Sequence, residues 1–148
     1  MIKYVVITGC FRLLHAGHID LIMSALQYSA KFNATPIALI NSDEYLEEHK
    51  GKVIQPFYLR HHMFTKLGFH VIKSDNHINV FERLKSEEKR FLYVNADFKS
   101  DCKEVEWCIK NGYPIILIRP EHEIHLNSLI NDSSCCVCSG NLRNSDGS

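Results

Sequence analysis

The sequence has no excess of either charge, since 17 lysines and arginines balance 17 aspartates and glutamates over 148 residues. Without net charge there is no global field to attract nucleic acid or a membrane surface, so any anion site has to be local. No apolar run reaches the roughly 18 residues that would span a bilayer, and the N-terminus enters an apolar stretch directly, without a signal-peptide pattern. These absences predict a cytoplasmic protein with neither nucleic acid nor a membrane as partner.

The sequence also lacks the cysteine density of a small disulfide-stapled domain. Its six cysteines are spread over a chain whose apolar runs can build a core on their own. Cys10, Cys102 and Cys108 stand beside apolar positions and are predicted to be reduced thiols in or near that core. The three cysteines near the end of the chain have no second spaced pair, which argues against a zinc site and favours exposed thiols.

What the chain does contain is a regular alternation of buried strands and amphipathic helices. Continuous apolar runs, typical of strands covered on both faces, predict strands at 2–8, 36–40, 69–72, 91–94 and 113–118. Helical spacing or capping residues predict helices at about 17–31, from Ser42 or Asp43 through Leu46, at 57–67, after Asn76, at 101–110 and at 125–131. The alternation predicts an α/β fold: a Rossmann-like open five-stranded parallel sheet with helices on both faces.

The length fits one domain, which we expect to span residues 1–132. Residues 133–148 are rich in serine, asparagine, glycine and cysteine and are predicted to form a flexible C-terminal tail.

The turn after the first predicted strand carries the strongest functional signal. It reads Thr8-Gly9-Cys10-Phe11-Arg12-Leu13-Leu14-His15-Ala16-Gly17-His18 and joins a buried strand to a helix. The free N–H groups and positive dipole end of such a helix start suit a phosphate. His15 and His18 are three residues apart and can face the same point. They can equally be ordinary surface histidines, whereas a metal site is disfavoured because no third ligand is evident.

Polar residues that are candidates for a ligand site follow four of the five predicted strands, at the place where parallel α/β sheets bind ligands. Beyond the opening turn these are 41–43, 95–97 and Arg119. Because the carboxyl ends of parallel strands share one edge, we expect these side chains to gather there. The sequence therefore predicts a binding site at this edge, whichever family the chain belongs to.

The segment from Gly9 to His18 resembles the G-x-F-D-x-x-H-x-G-H signature of the nucleotidyltransferase superfamily, and is most similar to cytidylyltransferases of the glycerol-3-phosphate type. Further segments are similar in the same order over about residues 3–130: Asn41-Ser42-Asp43-Glu44, Lys50-Gly51-Lys52, Arg60, Asn95-Ala96-Asp97-Phe98 and Arg119-Pro120-Glu121. Taken alone, the two lysines, Arg60 and Asp97 are also explained as solvated or helix-capping residues.

The resemblance implies transfer of CMP from CTP to a small phosphorylated alcohol or sugar, with release of pyrophosphate. Mg²⁺ is expected with the triphosphate, no metal is expected to be held by the protein alone, and relatives suggest a homodimer. The implied catalytic residues are His15, His18, Lys50, Lys52 and Arg119. The implied nucleotide-binding residues are Thr8, Gly9, Cys10, Phe11, Gly17, Asp97, Asn127 and Ser128. The implied contacts to the acceptor are Arg12 and Arg60.

Two positions depart from the family pattern. Arg12 stands where the signature has aspartate, and the Ser/Thr-rich last motif is reduced to Asn127 and Ser128 within 124–130. These departures keep a nucleotide-binding relic without turnover open as an alternative. An ATP-dependent adenylyltransferase of the heptose- or pantetheine-phosphate type is the other alternative.

Overall fold

The computed structural model describes residues 1–14 and 16–119. Its strands are β1 (Tyr4–Gly9), β2 (Thr35–Ile40), β3 (His70–Lys73), β4 (Phe91–Ala96) and β5 (Ile115–Ile118). Its helices are α1 (Ala16–Phe32), α2 (Asp43–Lys50), α3 (Phe57–Lys66), α4 (His77–Ser86) and α5 (Lys103–Asn111), and a single 3-10 turn covers Asp97–Lys99.

All five strands pair in parallel, in the spatial order β3-β2-β1-β4-β5. Helices lie on both faces of this sheet, so the predicted α/β Rossmann-like fold is confirmed. The chain builds outward from β1 to β3 on one side and then returns to place β4 and β5 on the other. β1 therefore lies at the centre, between strands reached by opposite windings of the chain.

Alternation along the strands divides the core between the two faces of the sheet. Val6 and Tyr93 face α4 and α5, where they pack with Phe81 and Trp107. The neighbouring strand residues face α1 and α3 and pack with the buried side chains Ile22 and Phe64. Full burial of each large apolar side chain stabilises the fold by about 1.5–3 kcal/mol, which holds the strand ends in fixed positions.

Predicted and observed boundaries differ by only one or two residues in most elements. The exception is α2, which was predicted to end at Leu46. Instead it continues to Lys50, because Ser42 caps its start and Gly51, with φ of 89°, ends it. β4 also continues through Asn95 to Ala96, two residues past its predicted end.

The predicted reduced state of Cys10, Cys102 and Cys108 is confirmed, since all three are buried thiols that form no disulfide within the described residues. Within the described part of the chain, no helix is both long and apolar enough to cross a membrane. The helix predicted at 125–131 and the tail predicted at 133–148 lie outside the described residues.

Candidate functional site

The centre of the sheet contains a topological switch point. α1 leaves the end of β1 toward one face, whereas the chain after β4 leads to α5 on the opposite face. Connections that diverge in this way open a crevice beyond the carboxyl ends of the two strands, which is where open α/β sheets bind ligands. Gly9 and Ala96 end the two strands that border this crevice.

The turn that follows β1, here called the β1 turn (residues 10–14), is fixed by a buried aromatic ring. Phe11 takes a left-handed backbone conformation, with φ of 49°, that is uncommon for a residue other than glycine. Its ring packs on Phe64 with centroids 4.7 Å apart and meets His18 edge-on at 5.1 Å. A Cβ on Gly9 would lie only 3.0 Å from this ring, so any larger residue there would press against the ring.

His18 lies in the first turn of α1, beside the Phe11 ring, at the side of the crevice that β1 borders. The predicted partner His15 lies outside the described residues. Gly17 precedes His18 within the same turn. The helix start and His18 thus stand together at the end of β1, where the sequence predicted an anion site.

Arg60 lies beneath the β1 turn as a fully buried cation. Its Nη1 donates to the carbonyl oxygens of Cys10 (2.9 Å) and Asn41 (2.7 Å), and its Nε donates to the carbonyl of Gln55 (2.8 Å). Its Nη2 forms a 2.7 Å ion pair with Asp43, whose side chain is 37% exposed. Burial lowers the pKa of Arg60, and the hydrogen bond and charge of Asp43 oppose this shift.

Through these contacts Arg60 connects the ends of β1 and β2. Its side chain has no exposed surface, so it cannot touch an acceptor in this conformation. The predicted acceptor contact is not supported by this geometry, because backbone carbonyls from distant parts of the chain converge on the guanidinium.

A second polar network holds the end of β2 to the segment after β3. Asn41 Nδ2 donates to the carbonyl of Ser74 at 3.0 Å. The Ser42 backbone N–H and hydroxyl donate to the two carboxylate oxygens of Asp75, at 2.8 and 2.7 Å. Ser74 Oγ lies 3.0 Å from Nδ1 of the buried His77. Sequence reasoning missed these contacts to Ser74, Asp75 and His77, although all three directly follow the third strand.

Burial lowers the pKa of His77 below its ordinary value. The negative charges of Glu104 and Asp75 oppose that shift, and the positive charge of Lys103 adds to it. The neutral imidazole is therefore the form that the folded protein favours.

The predicted lysines flank Gly51 at the end of α2. Lys50 is the last residue of the helix and is half-buried, whereas Lys52 is exposed in the following segment, here called the lysine loop (residues 51–56). Arg12 of the β1 turn donates from Nε to the Lys52 carbonyl at 2.8 Å. The structure thus brings Arg12 and Lys52, two of the predicted site residues, together.

On the other side of the crevice, Asp97 and Arg119 follow β4 and β5. Arg119 Nη2 lies 3.4 Å from Asp97 Oδ2, and both side chains are exposed. Phe98, next to Asp97 in the 3-10 turn, is also exposed. The structure therefore brings these two predicted site residues together at an open part of the edge.

Between β1 and β4, the polar side chains bind one another. Thr8 Oγ1 and Tyr93 Oη are hydrogen-bonded at 2.7 Å, and Asn95 Nδ2 donates to Tyr93 Oη at 2.9 Å. Thr8, Tyr93 and Asn95 are all buried. Of the predicted nucleotide-binding residues, Thr8 thus has its hydroxyl engaged within the core, and Cys10 has its carbonyl bound by Arg60. Asn127 and Ser128 lie outside the described residues.

Comparisons with known proteins show the fold. No protein-family model and no curated protein sequence matches the chain. Among solved structures, the chain is similar to the lipopolysaccharide core biosynthesis protein from Thermoplasma volcanium GSS1, with 18% sequence identity and a TM-score of 0.53. The match covers 82% of this chain and 98% of that one. At this level of identity the likeness extends to the fold alone.

Proposed function

We propose that the protein is a nucleotidyltransferase that transfers CMP from CTP to a small phosphorylated alcohol or sugar and releases pyrophosphate. The observation that carries the proposal is the position of the Gly9–His18 segment. The glycine, the aromatic turn and the histidine-bearing helix start stand at the switch-point crevice of a parallel sheet, where a nucleotide would bind.

The chemistry needs positioning and charge stabilisation more than a reactive side chain. An oxygen of the acceptor phosphate forms a bond to the α-phosphorus of CTP. The bond from that phosphorus to the bridging oxygen breaks, and pyrophosphate leaves with the electron pair. No covalent enzyme intermediate is required, so fixed donors aimed at the phosphoryl oxygens supply the catalysis.

The side chains at the crevice suit these roles. His18, with His15 of the same motif, would donate to the phosphoryl oxygens, assisted by the N-terminus of α1. Lys50 and Lys52 would approach the triphosphate or the acceptor phosphate from one side, and Arg119 would hold the β- and γ-phosphates from the other. Asp97 would bind the ribose or base. Gly17, Asn127 and Ser128 complete the nucleotide-binding set that the motif implies.

Mg²⁺ would accompany the triphosphate. Among residues 1–14 and 16–119, no group of three or more His, Cys, Asp or Glu side chains gathers to hold an ion. Mg²⁺ is commonly held by one or two carboxylates together with substrate phosphates. The donors present fit an ion held mainly by the nucleotide, with Asp97 as an acidic side chain at this edge, and the ion would neutralise phosphate charge.

The solved structure named for lipopolysaccharide core biosynthesis shares the fold, and that fold is compatible with the proposed activity. CTP as donor and a phosphorylated acceptor are supported by the motif. We expect a homodimer because relatives with this motif are commonly dimers, and a cytoplasmic location in keeping with the reduced cysteines.

Pyrophosphate release tests the proposal directly. CTP and ATP would each be incubated with Mg²⁺ and a panel of phosphorylated polyols and sugars. We expect turnover with CTP and at least one acceptor, and a loss of about 100-fold or more in His18→Ala. His70→Ala is the matched control, because His70 is exposed at the opposite, amino edge of the sheet.

Each alternative has its own outcome in this assay. Turnover with ATP alone would overturn CTP as donor and favour an adenylyltransferase. Absence of turnover with every acceptor, together with thermal stabilisation by CTP, would overturn the enzyme and favour a nucleotide-binding relic.

A further inference from the structure

The hydrogen bond from Arg12 to the lysine loop has no counterpart in the motif that the chain resembles, where the same position is aspartate. Arg12 Nε donates to the Lys52 carbonyl oxygen at 2.8 Å. A carboxylate could not make this contact, since it has no proton to donate and would repel the carbonyl oxygen. We propose that Arg12 is a positioning residue that holds the lysine loop against the β1 turn.

The lysine loop is already bound at its inner side. Val53 packs on the buried pair Cys10 and Leu46, and the Gln55 carbonyl accepts from Arg60. Because Arg60 also binds the Cys10 carbonyl, it ties the loop to the β1 turn from beneath. Arg12 makes the corresponding tie from the solvent side, at the peptide that carries Lys52. Two arginines thus fix opposite sides of one short segment.

The hydrogen bond of Arg12 brings a further positive side chain to a segment that already carries Lys50 and Lys52. Such a concentration of positive charge suits a polyanion. A loop held in place before a polyanion arrives loses less conformational entropy when the polyanion binds. This consequence rests on the proposed function, in which the polyanion is the triphosphate or the acceptor phosphate. The hydrogen bond that holds the lysine loop to the β1 turn does not depend on that function.

Limited proteolysis tests the tie without any ligand. Trypsin cleaves after Lys52 only when the loop opens, so the cleavage rate reports the opening equilibrium. Arg12→Met keeps an unbranched side chain but removes the hydrogen-bond donor. We expect cleavage after Lys52 to be about five times faster in this variant, because the closed loop loses the stabilisation of one hydrogen bond. Arg90→Met is the matched control. Its Nη2 donates to the Gly112 carbonyl at 2.9 Å, beside the amino end of β4.

An unchanged rate after Lys52 in Arg12→Met would overturn the proposal. Cleavage that rises equally after Lys85, in α4, would report a global loss of stability and would overturn a local tie as well. Because neither result depends on nucleotide, failure of the proposed function leaves this test intact.

A double-mutant cycle measured by CTP affinity tests whether Arg12 acts through Lys52. A positioning role predicts that Arg12→Met weakens CTP binding only while Lys52 is present. The double variant Arg12→Met, Lys52→Met should then bind CTP within about twofold of Lys52→Met alone. If the losses of CTP affinity in the two single variants multiply in the double variant, Arg12 contacts the nucleotide independently of Lys52. That result would overturn the positioning role.

Discussion

The carboxyl edge of the sheet has two halves that are built differently. At the ends of β1, β2 and β3, buried side chains bind one another and the backbone; this braced half contains Arg60, Asn41 and His77. At the ends of β4 and β5, the charged pair Asp97–Arg119 is exposed at 3.4 Å; this is the open half. The difference indicates that the buried charge of the braced half serves the structure, whereas the charged pair of the open half remains accessible to a ligand.

Removing the buried cation should break the braced half most severely. Arg60→Met leaves three backbone carbonyls without their donor, and it leaves Asp43 with only the Phe57 N–H. Loss of one partner from a buried ion pair costs about 3–5 kcal/mol, and the partial exposure of Asp43 favours the lower value. We expect the free energy of unfolding, measured with urea, to fall by about 3 kcal/mol. A loss below about 1 kcal/mol would show that Arg60 does not brace this edge.

Gly9→Ala should disturb the braced half through packing. The new Cβ would lie 3.0 to 3.1 Å from two atoms of the Phe11 ring, which is itself buried. Overpacking of this kind costs about 1–3 kcal/mol. Urea unfolding of Gly9→Ala, Phe11→Leu and the double variant provides the measurement. If the new Cβ clashes with the Phe11 ring, the double variant is more stable than the sum of the two single losses in the free energy of unfolding predicts. If the two losses simply add, a clash with the ring does not explain the effect of Gly9→Ala.

The braced half should also be sensitive to acid. Burial lowers the pKa of His77 in the folded state, so the unfolded chain binds more protons as the pH falls below about 6.5. Stability is therefore fully present above that pH and is lost on acidification, with a slope of up to about 1.4 kcal/mol per pH unit. We expect urea unfolding between pH 5 and 7 to show a weaker pH dependence in His77→Asn.

The exposed His70→Asn provides the control for this titration, because its imidazole lies in solvent at the start of β3. An equal pH dependence in His77→Asn and the parent protein would mean that protonation of His77 does not limit stability.

Breaking the open half should have the smallest effect on stability. Asp97→Asn removes one charge from an exposed pair, and such pairs contribute about 0–1 kcal/mol. We expect urea unfolding to change by less than about 1 kcal/mol, while the Kd for CTP rises. Arg119→Met should behave in the same way. A large loss of stability in either variant would remove the distinction between the two halves.

The sequence predicted the order of strands and helices well because the apolar runs are continuous and the caps are local. Asn76, for example, caps α4 as expected. α2 was harder, since its sequence DEYLEEHK buries only Leu46 and thus has almost no apolar periodicity. Its end is set by Gly51, whose positive φ was not evident from the sequence.

The site was predicted as a location more successfully than as a set of contacts. Asp97 and Arg119 meet because both follow neighbouring parallel strands, which strand order alone suggests. The burial of Arg60 depends on carbonyls contributed by Cys10, Asn41 and Gln55, whose convergence no local pattern encodes. Nothing in the motif distinguished a guanidinium that binds phosphate from one that binds the chain itself.

Hydrogen exchange measured with and without saturating CTP and Mg²⁺ is the most direct test of where the ligand binds. We expect slower exchange of backbone amides in the β1 turn, at the start of α1 and in 97–99, on both sides of the crevice. Exchange at the amino edge, as at His70 and Arg90, should remain unchanged. No protection at the β1 turn, or protection centred on the amino edge, would contradict the assignment of the nucleotide site to the carboxyl edge of the sheet.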